Sequence, residues 1–299
     1  MLTLIPPRLI RDKKMRLFKA LGLAGLAHSA PVAENNVSAD SGRVDCHPEN
    51  DATEASCWAR GCTWAPGERG APWCFYPSDY KHYNQVEMIE TELEQDGRMV
   101  KALLYNLERD AGAAFIPEYI EQIQKLQVQV TFQSNDAVRV KIIDSEKERY
   151  EVPVPITRPP GEPSWNDKDG NPAQMYEIET NQSPFWIKII RRDDKQVVFD
   201  TSAGPILYYN QFLQLTTYRP TEYIYGFGET EHLSFKYDTE WSQQGMWARD
   251  NGVGVGSNLY GVQPYHIAME ESGKATGILF FNSNAQEVAV SPHPHVTYR

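Results

Sequence analysis

All four cysteines of the 299-residue chain, Cys46, Cys57, Cys62 and Cys74, lie within one 29-residue window. Clustered thiols can pair into disulfides or hold a zinc ion. The intervening stretches of 10, 4 and 11 residues do not give the paired short knuckles that zinc modules favour. An even cysteine count in a loop-rich stretch that also holds Trp58, Trp64 and Trp73 reads as a disulfide-stapled module. Such modules are too small to bury enough apolar surface unaided, so cross-links supply the missing stability. Four cysteines permit several pairings, and spacing does not choose among them. Disulfides imply maturation in an oxidising compartment.

A second candidate is Arg249-Asp250, followed by the glycine-rich run from Asn251 to Ser257. A carboxylate accepts paired hydrogen bonds from vicinal hydroxyls, and an adjacent arginine can orient it. Glycines let the backbone approach a ligand closely. Read from the residues alone, Asp250 is better taken as the start of a turn. Gly252, Gly254 and Gly256 are spaced like part of a nucleotide fingerprint but lack the strand-turn-helix setting that motif needs. His293 and His295 offer two metal ligands without a third. Tyr225 and Glu229 read as structural, and Trp64 and Trp73 as closing the core of the cysteine module. An exposed Trp73 would also offer a flat aromatic face. No metal and no cofactor are expected. Asn36-Val-Ser38 and Asn181-Gln-Ser183 are glycosylation sequons.

The elements that must position these residues follow from patterning. Hydrophobic residues make up 41% of the chain, suiting a folded protein. The formal net charge of −11 argues against nucleic acid as a partner, because phosphate binding needs a basic surface. No apolar run is long enough to cross a membrane as a helix. Residues 15–29 resemble a short signal peptide: a basic start, an apolar middle from Ala20 to Ala27, and a small-x-small site at Ala27-His28-Ser29. A candidate signal peptide therefore occupies 1–30, with residues 1–14 an extended basic region or an unused upstream start, and a polar linker occupies 31–42. Residues 81–126 form a connecting segment, read as partly helical because Leu103, Leu104 and Leu107 sit at helical spacing. From residue 127 the period becomes two. Val128, Val130 and Phe132 alternate with polar residues, as do Val138, Val140 and Ile142, across a turn at Ser134-Asn-Asp136. Further short strands are expected at 175–178, 186–190, 197–199, 212–215, 265–269, 276–281 and 287–290. Many short antiparallel strands without intervening helices mean a β-sandwich over 127–299.

Residues 43–80 resemble the P-type trefoil domain. The resemblance rests on Arg43-Val-Asp-Cys46, on Arg60-Gly-Cys62 and on Pro72-Trp-Cys-Phe-Tyr-Pro77. Family trefoils have six cysteines; this chain lacks the first and the fifth, which are partners of each other. The resemblance therefore implies Cys46–Cys62 and Cys57–Cys74. The second half resembles the galactose-mutarotase-like N-terminal domain of family 31 glycoside hydrolases. The runs that carry it are Ser183 to Arg191, Val198 to Ser202, Tyr223-Ile-Tyr-Gly-Phe-Gly-Glu229, Trp247-Ala-Arg-Asp250, Asn258 to Gly261 and Phe281 to Ala285. A trefoil followed by this sandwich is the arrangement of the maltase-glucoamylase, sucrase-isomaltase and lysosomal acid α-glucosidase group.

That resemblance implies a mainly β protein of the secretory pathway, extracellular or lysosomal. It corresponds to the non-catalytic N-terminal part of a retaining enzyme that hydrolyses α-linked glucose oligomers. In the family a (β/α)₈ barrel supplies the nucleophile within a Trp-x-Asp-Met-Asn-Glu run. These 299 residues contain no such run, so the barrel is expected to be missing and the chain inactive alone. Arg249 and Asp250 match the pair that a sandwich loop contributes to the sugar site. The alternative is a stand-alone secreted module that binds carbohydrate or associates with mucus.

Overall fold

The computed structural model describes residues 2–5, 42–95, 98–113, 116, 119, 121–153, 174–292 and 294–299. Two antiparallel sheets face each other. The first runs, in spatial order, through Ile224–Thr230, Asn258–Met269, Ala275–Phe280, Leu2–Ile5, Ala137–Asp144, Lys125–Ser134, Arg98–Arg109 and Tyr83–Gln95. The second runs through Ser242–Met246, Gln286–Val290, His295–Tyr298, Leu213–Tyr218, Val197–Asp200, Phe185–Arg191 and Tyr176–Gln182. Leu207–Tyr208 pairs beside Leu213–Tyr218.

Period-two burial explains why the sheets stack. In Phe185–Arg191 every second residue is buried, which puts Phe185, Ile187 and Ile189 on the inner face. They meet Val128, Val130, Val138 and Val140 of the first sheet in one apolar cluster. A second cluster joins Ile224 and Phe227 of the first sheet to Met246, Val288, Val290, Val296 and Tyr298 of the second. Interdigitation of two inner faces is the packing of a β-sandwich.

The segment expected to be partly helical is instead a long hairpin. Tyr83–Gln95 pairs with Arg98–Arg109 along its length, and Arg98–Arg109 pairs in turn with Lys125–Ser134. Leu103, Leu104 and Leu107 fit helical spacing, but the chain is extended and both faces are covered. Val100 and Ala102 are buried on one side, and Tyr105 and Leu107 on the other. A strand covered on both faces loses the clean alternation that would identify it. The sandwich therefore begins well before residue 127.

The N-terminal reading is also corrected in part. Leu2–Ile5 is a strand between Ala275–Phe280 and Ala137–Asp144, antiparallel to both, not the start of an extended basic region. Residues 6–41, which hold most of the candidate signal peptide, the linker and Asn36, lie outside the described residues.

In the trefoil, Thr53 caps the short helix Glu54–Ala59. Its Oγ1 accepts from Ser56 N at 3.1 Å, and Ser56 Oγ accepts from Thr53 N at 2.9 Å. Thr63–Trp64 pairs with Cys74–Phe75, and disulfides join Cys46 to Cys62 and Cys57 to Cys74. The trefoil does not close its core alone. Val44 and the four cysteines pack in one cluster with Ile116, Leu207 and Tyr209 of the larger unit.

Candidate functional site

The loop that carries Arg249 and Asp250 leaves the second sheet after Ser242–Met246 and enters the first at Asn258–Met269. Its two stems are clamped together by one side chain. Asn258 Oδ1 accepts from Trp247 N at 3.2 Å, and Asn258 Nδ2 donates to Trp247 O at 2.7 Å. Asn258 is buried, so this amide substitutes for a missing pair of backbone partners. Asn251 Nδ2 donates to Asn258 O at 2.8 Å, tying the loop tip to the same residue. Farther along, Gly256 N donates to Glu231 O at 2.9 Å.

Trp247 lies over Gly245, where a Cβ would come within 2.3 Å of Cζ3 of the ring. Only glycine leaves room for it. The indole stays 42% exposed. The Arg249 guanidinium carbon stands 6.0 Å from its centroid, near the outer limit of a cation–π contact. Asp250 follows, exposed, as does Arg249. The loop thus presents a carboxylate, a guanidinium and an aromatic face to solvent from a fixed base. Such a set can accept hydrogen bonds from hydroxyls and cover an apolar sugar face.

The run Tyr223 to Glu229 lies beside the strand that this loop enters. Its strand pairs with Asn258–Met269, with register shifts between Gly226 and Gly228 and again before Thr230. Gly226 has φ +126°, and a Cβ there would lie 2.4 Å from Tyr265 O, so the close approach requires glycine. The irregularity turns Phe227 inward, where it is buried and stacks on His266 with ring centroids 4.5 Å apart. Glu229 Oε2 accepts from Gly261 N at 2.6 Å. Glu229 is thus occupied in holding the backbone of the neighbouring strand at Gly261.

Other sequence candidates separate. Gly252, Gly254 and Gly256 lie between two strands with no helix to follow. His295 is buried against Tyr218, with ring centroids 4.9 Å apart; His293 lies outside the described residues. Asn181 lies near the end of the strand Tyr176–Gln182, and its Nδ2 donates to Pro184 O at 2.8 Å. Trp73 is 49% exposed, with Trp64 edge-on at 5.9 Å.

Spacing gave no hint of the polar seam between trefoil and sandwich. Glu49 accepts from Arg60 Nη1 at 2.8 Å and from Tyr119 Oη at 2.5 Å, and His47 Nδ1 lies 2.9 Å away. Burial works to raise the Glu49 carboxyl, but the Arg60 and Tyr119 hydrogen bonds outweigh it and hold it below the ordinary value. Asp45 is raised by burial despite Arg299 at 3.7 Å. Arg43, Asp45, Pro72, Trp241, Ser242 and Gln243 help line a recess of about 130 Å³ along the seam.

Comparison with known proteins bears on the chain as a whole. Residues 36–77 match the Trefoil (P-type) domain family. Intestinal sucrase-isomaltase of Homo sapiens is 35% identical over 277 residues, covering 92% of this chain and 14% of that protein. Lysosomal alpha-glucosidase of Rattus norvegicus is 32% identical over 265 residues, covering 86% of this chain and 26% of that protein. The crystal structure of the ER glucosidase II heterodimeric complex aligns with TM-score 0.49 and 14% identity, covering 73% of this chain and 31% of that one. The chain thus spans about a quarter or less of the length of these two curated relatives. It bears a P-type trefoil domain and, over nearly its whole length, is homologous to part of the family 31 glycoside hydrolases that include sucrase-isomaltase and lysosomal alpha-glucosidase.

Proposed function

We propose that this chain is the trefoil-and-sandwich part of a secretory-pathway α-glucosidase acting on α-linked glucose oligomers, and that the loop from Trp247 to Ser257 forms one wall of the sugar site. The observation that carries the reading is the exposed Asp250 beside Arg249, on a loop whose base is clamped by Asn258. Asp250 accepts hydrogen bonds from two neighbouring sugar hydroxyls, Arg249 fixes the orientation of that carboxylate, and the Trp247 face covers the ring. Bond cleavage by retention needs a nucleophile and an acid–base carboxylate about 5–5.5 Å apart. No pair in these residues is assigned to that chemistry; a family barrel would supply it. The exposed Leu233, Phe235 and Val253 are apolar surface suited to docking against such a unit.

The test fuses residues 1–299 to a barrel of the same family and compares Asp250→Ala with the parent. Loss of a hydrogen bond to a charged group is worth about 1.5–3 kcal/mol, an approximately ten- to hundred-fold fall in kcat/KM. Asp250 takes no part in bond cleavage, so kcat falls less. An unchanged kcat/KM on every α-glucoside tried removes Asp250 from the site.

A second reading, a glycan-binding module independent of any barrel, draws support from the half-exposed Trp73 and from the seam recess with Asp45 and Trp241. Retention of the unfused chain on immobilised glucan, abolished by Trp73→Ala or Trp241→Ala but not by Asp250→Ala, would favour it.

A further inference from the structure

The pair Asn251-Gly252 is the only Asn-Gly in the 299 residues, and it directly follows Asp250. Three features make it chemically vulnerable. It lies in irregular backbone between the strands Ser242–Met246 and Asn258–Met269, with no regular ladder to hold it. The Gly252 N–H has no hydrogen-bond partner among the described residues. Gly252 is exposed, and a Cβ placed there would meet nothing within 4 Å, so no side chain or neighbour shields its nitrogen. Asparagine is among the thermolabile residues, and an unhindered following amide is what its side chain needs to react.

We propose that Asn251 is a site of spontaneous deamidation, and that this reaction ages the loop carrying Arg249 and Asp250. The Gly252 backbone nitrogen attacks Asn251 Cγ. A new N–Cγ bond closes a five-membered succinimide as the Cγ–Nδ2 bond breaks. Nδ2 departs as ammonia, taking the proton that the Gly252 amide gives up. Water then adds to one of the two ring carbonyls. One opening leaves an ordinary aspartyl residue in place of the asparagine; the other leaves an isoaspartyl linkage that lengthens the backbone by one carbon. Nothing is oxidised or reduced, and water is the only co-reactant.

The structure fixes the consequence. Asn251 Nδ2 is the donor that ties the loop to Asn258 O at 2.8 Å. A carboxylate at position 251 cannot donate, and it sets an oxygen anion against that carbonyl oxygen. The tie is lost, a negative charge arises beside Asp250, and the loop keeps its Trp247–Asn258 clamp, its contact to Glu231 and the bond from Ser257 N to Gly254 O. That this alters sugar binding rests on the function proposed above; the modification itself does not.

The experiment ages the full chain at mildly alkaline pH and maps its peptides by mass spectrometry, with isoaspartyl content read enzymatically. Asn251 should convert ahead of Asn50 and Asn135, each followed by an aspartate, and Gly252→Ala should slow conversion several-fold. Gly252 is not in the left-handed region and has open space for a methyl group, so that variant keeps the fold, which circular dichroism checks. An intact Asn251 after the other asparagines have converted, or equal conversion in Gly252→Ala, overturns the proposal. In the barrel fusion, Asn251→Asp should weaken glucoside binding as ageing does. If ageing converts Asn251 while Asn251→Asp leaves binding unchanged, the modification stands and the sugar-loop reading fails.

Discussion

The trefoil and the sandwich are both β-rich, yet different forces hold them. The sandwich buries aliphatic and aromatic side chains from two sheets against each other, with Phe185, Ile187, Ile189 and Val198 almost wholly shielded. The trefoil has one short helix and a two-stranded pair. It relies on two covalent links, a helix cap, and an apolar cluster completed by Ile116, Leu207 and Tyr209 from outside it. A unit too small to enclose its own core must borrow from cross-links or from a neighbour, and this one does both. At the seam Tyr80 Oη donates to Ser202 O at 3.0 Å, and Ile206 N donates to His82 Nδ1 at 3.2 Å. The trefoil is therefore expected to unfold with the sandwich rather than as a bead on a linker.

The sharpest way to break the comparison is to cut each region where it is strongest. Phe185→Ala in the sandwich should cost about 3–5 kcal/mol, the range for emptying a buried aromatic position. Chemical denaturation measures it, and a loss near zero would mean that the sheets do not share the core described. Replacing Cys57 and Cys74 by serine should cost about 3 kcal/mol, because each link closes a loop of roughly 15 residues. Before that, non-reducing peptide mapping should recover Cys46–Cys62 and Cys57–Cys74. If trefoil and sandwich share a core, the Cys57→Ser/Cys74→Ser variant lowers a single cooperative transition. Two separate transitions would make the modules independent.

Acid distinguishes the regions less strongly but reaches both. Burial pushes His82 at the seam and His266 in the sandwich down to about 3 from 6.5. Each stays neutral in the fold but takes up a proton when unfolded. Their stabilisation is complete above pH 6.5 and is lost as pH falls toward 3. In between, the slope is about 1.4 kcal/mol per pH unit for each histidine. Melting followed from pH 7 to pH 4 should show this decline, and His266→Gln should flatten it by one histidine's share.

The smallest effect belongs to the seam carboxylate. Glu49→Gln should cost about 1 kcal/mol at neutral pH, since a partly exposed charge-assisted bond is weakened by solvent. The Glu49 carboxyl is held low, so its contribution is present above the ordinary carboxylate range and is lost as pH falls through its depressed value. At strongly acid pH the variant and parent should therefore converge, and a gap that persists there would show that the loss is steric.

Much of this was legible in the chain. The clustered cysteines and the Trp-Cys-Phe-Tyr run marked a trefoil, because a module this small leaves its covalent framework in the sequence. The alternation from Val128 to Ile142 marked strands, because one face of each is wetter than the other. Arg249 and Asp250 were singled out by the resemblance to family 31 glycoside hydrolases, because an acid next to a cation in a glycine-rich loop is by itself no more than a turn. Tertiary structure alone decided the rest. The hairpin from Tyr83 to Arg109 looked helical because both faces of its second strand are covered, and a strand without a wet face carries no period of two. The Asn258 clamp on Trp247 spans 11 residues across the gap between two sheets, and nothing in a run of glycines announces which distant amide will close it. Leu2–Ile5 became a strand only because Ala137–Asp144 and Ala275–Phe280, far along the chain, leave a place between them. Local spacing records which residues prefer to be extended or buried; which strand lies beside which is settled by the shared core.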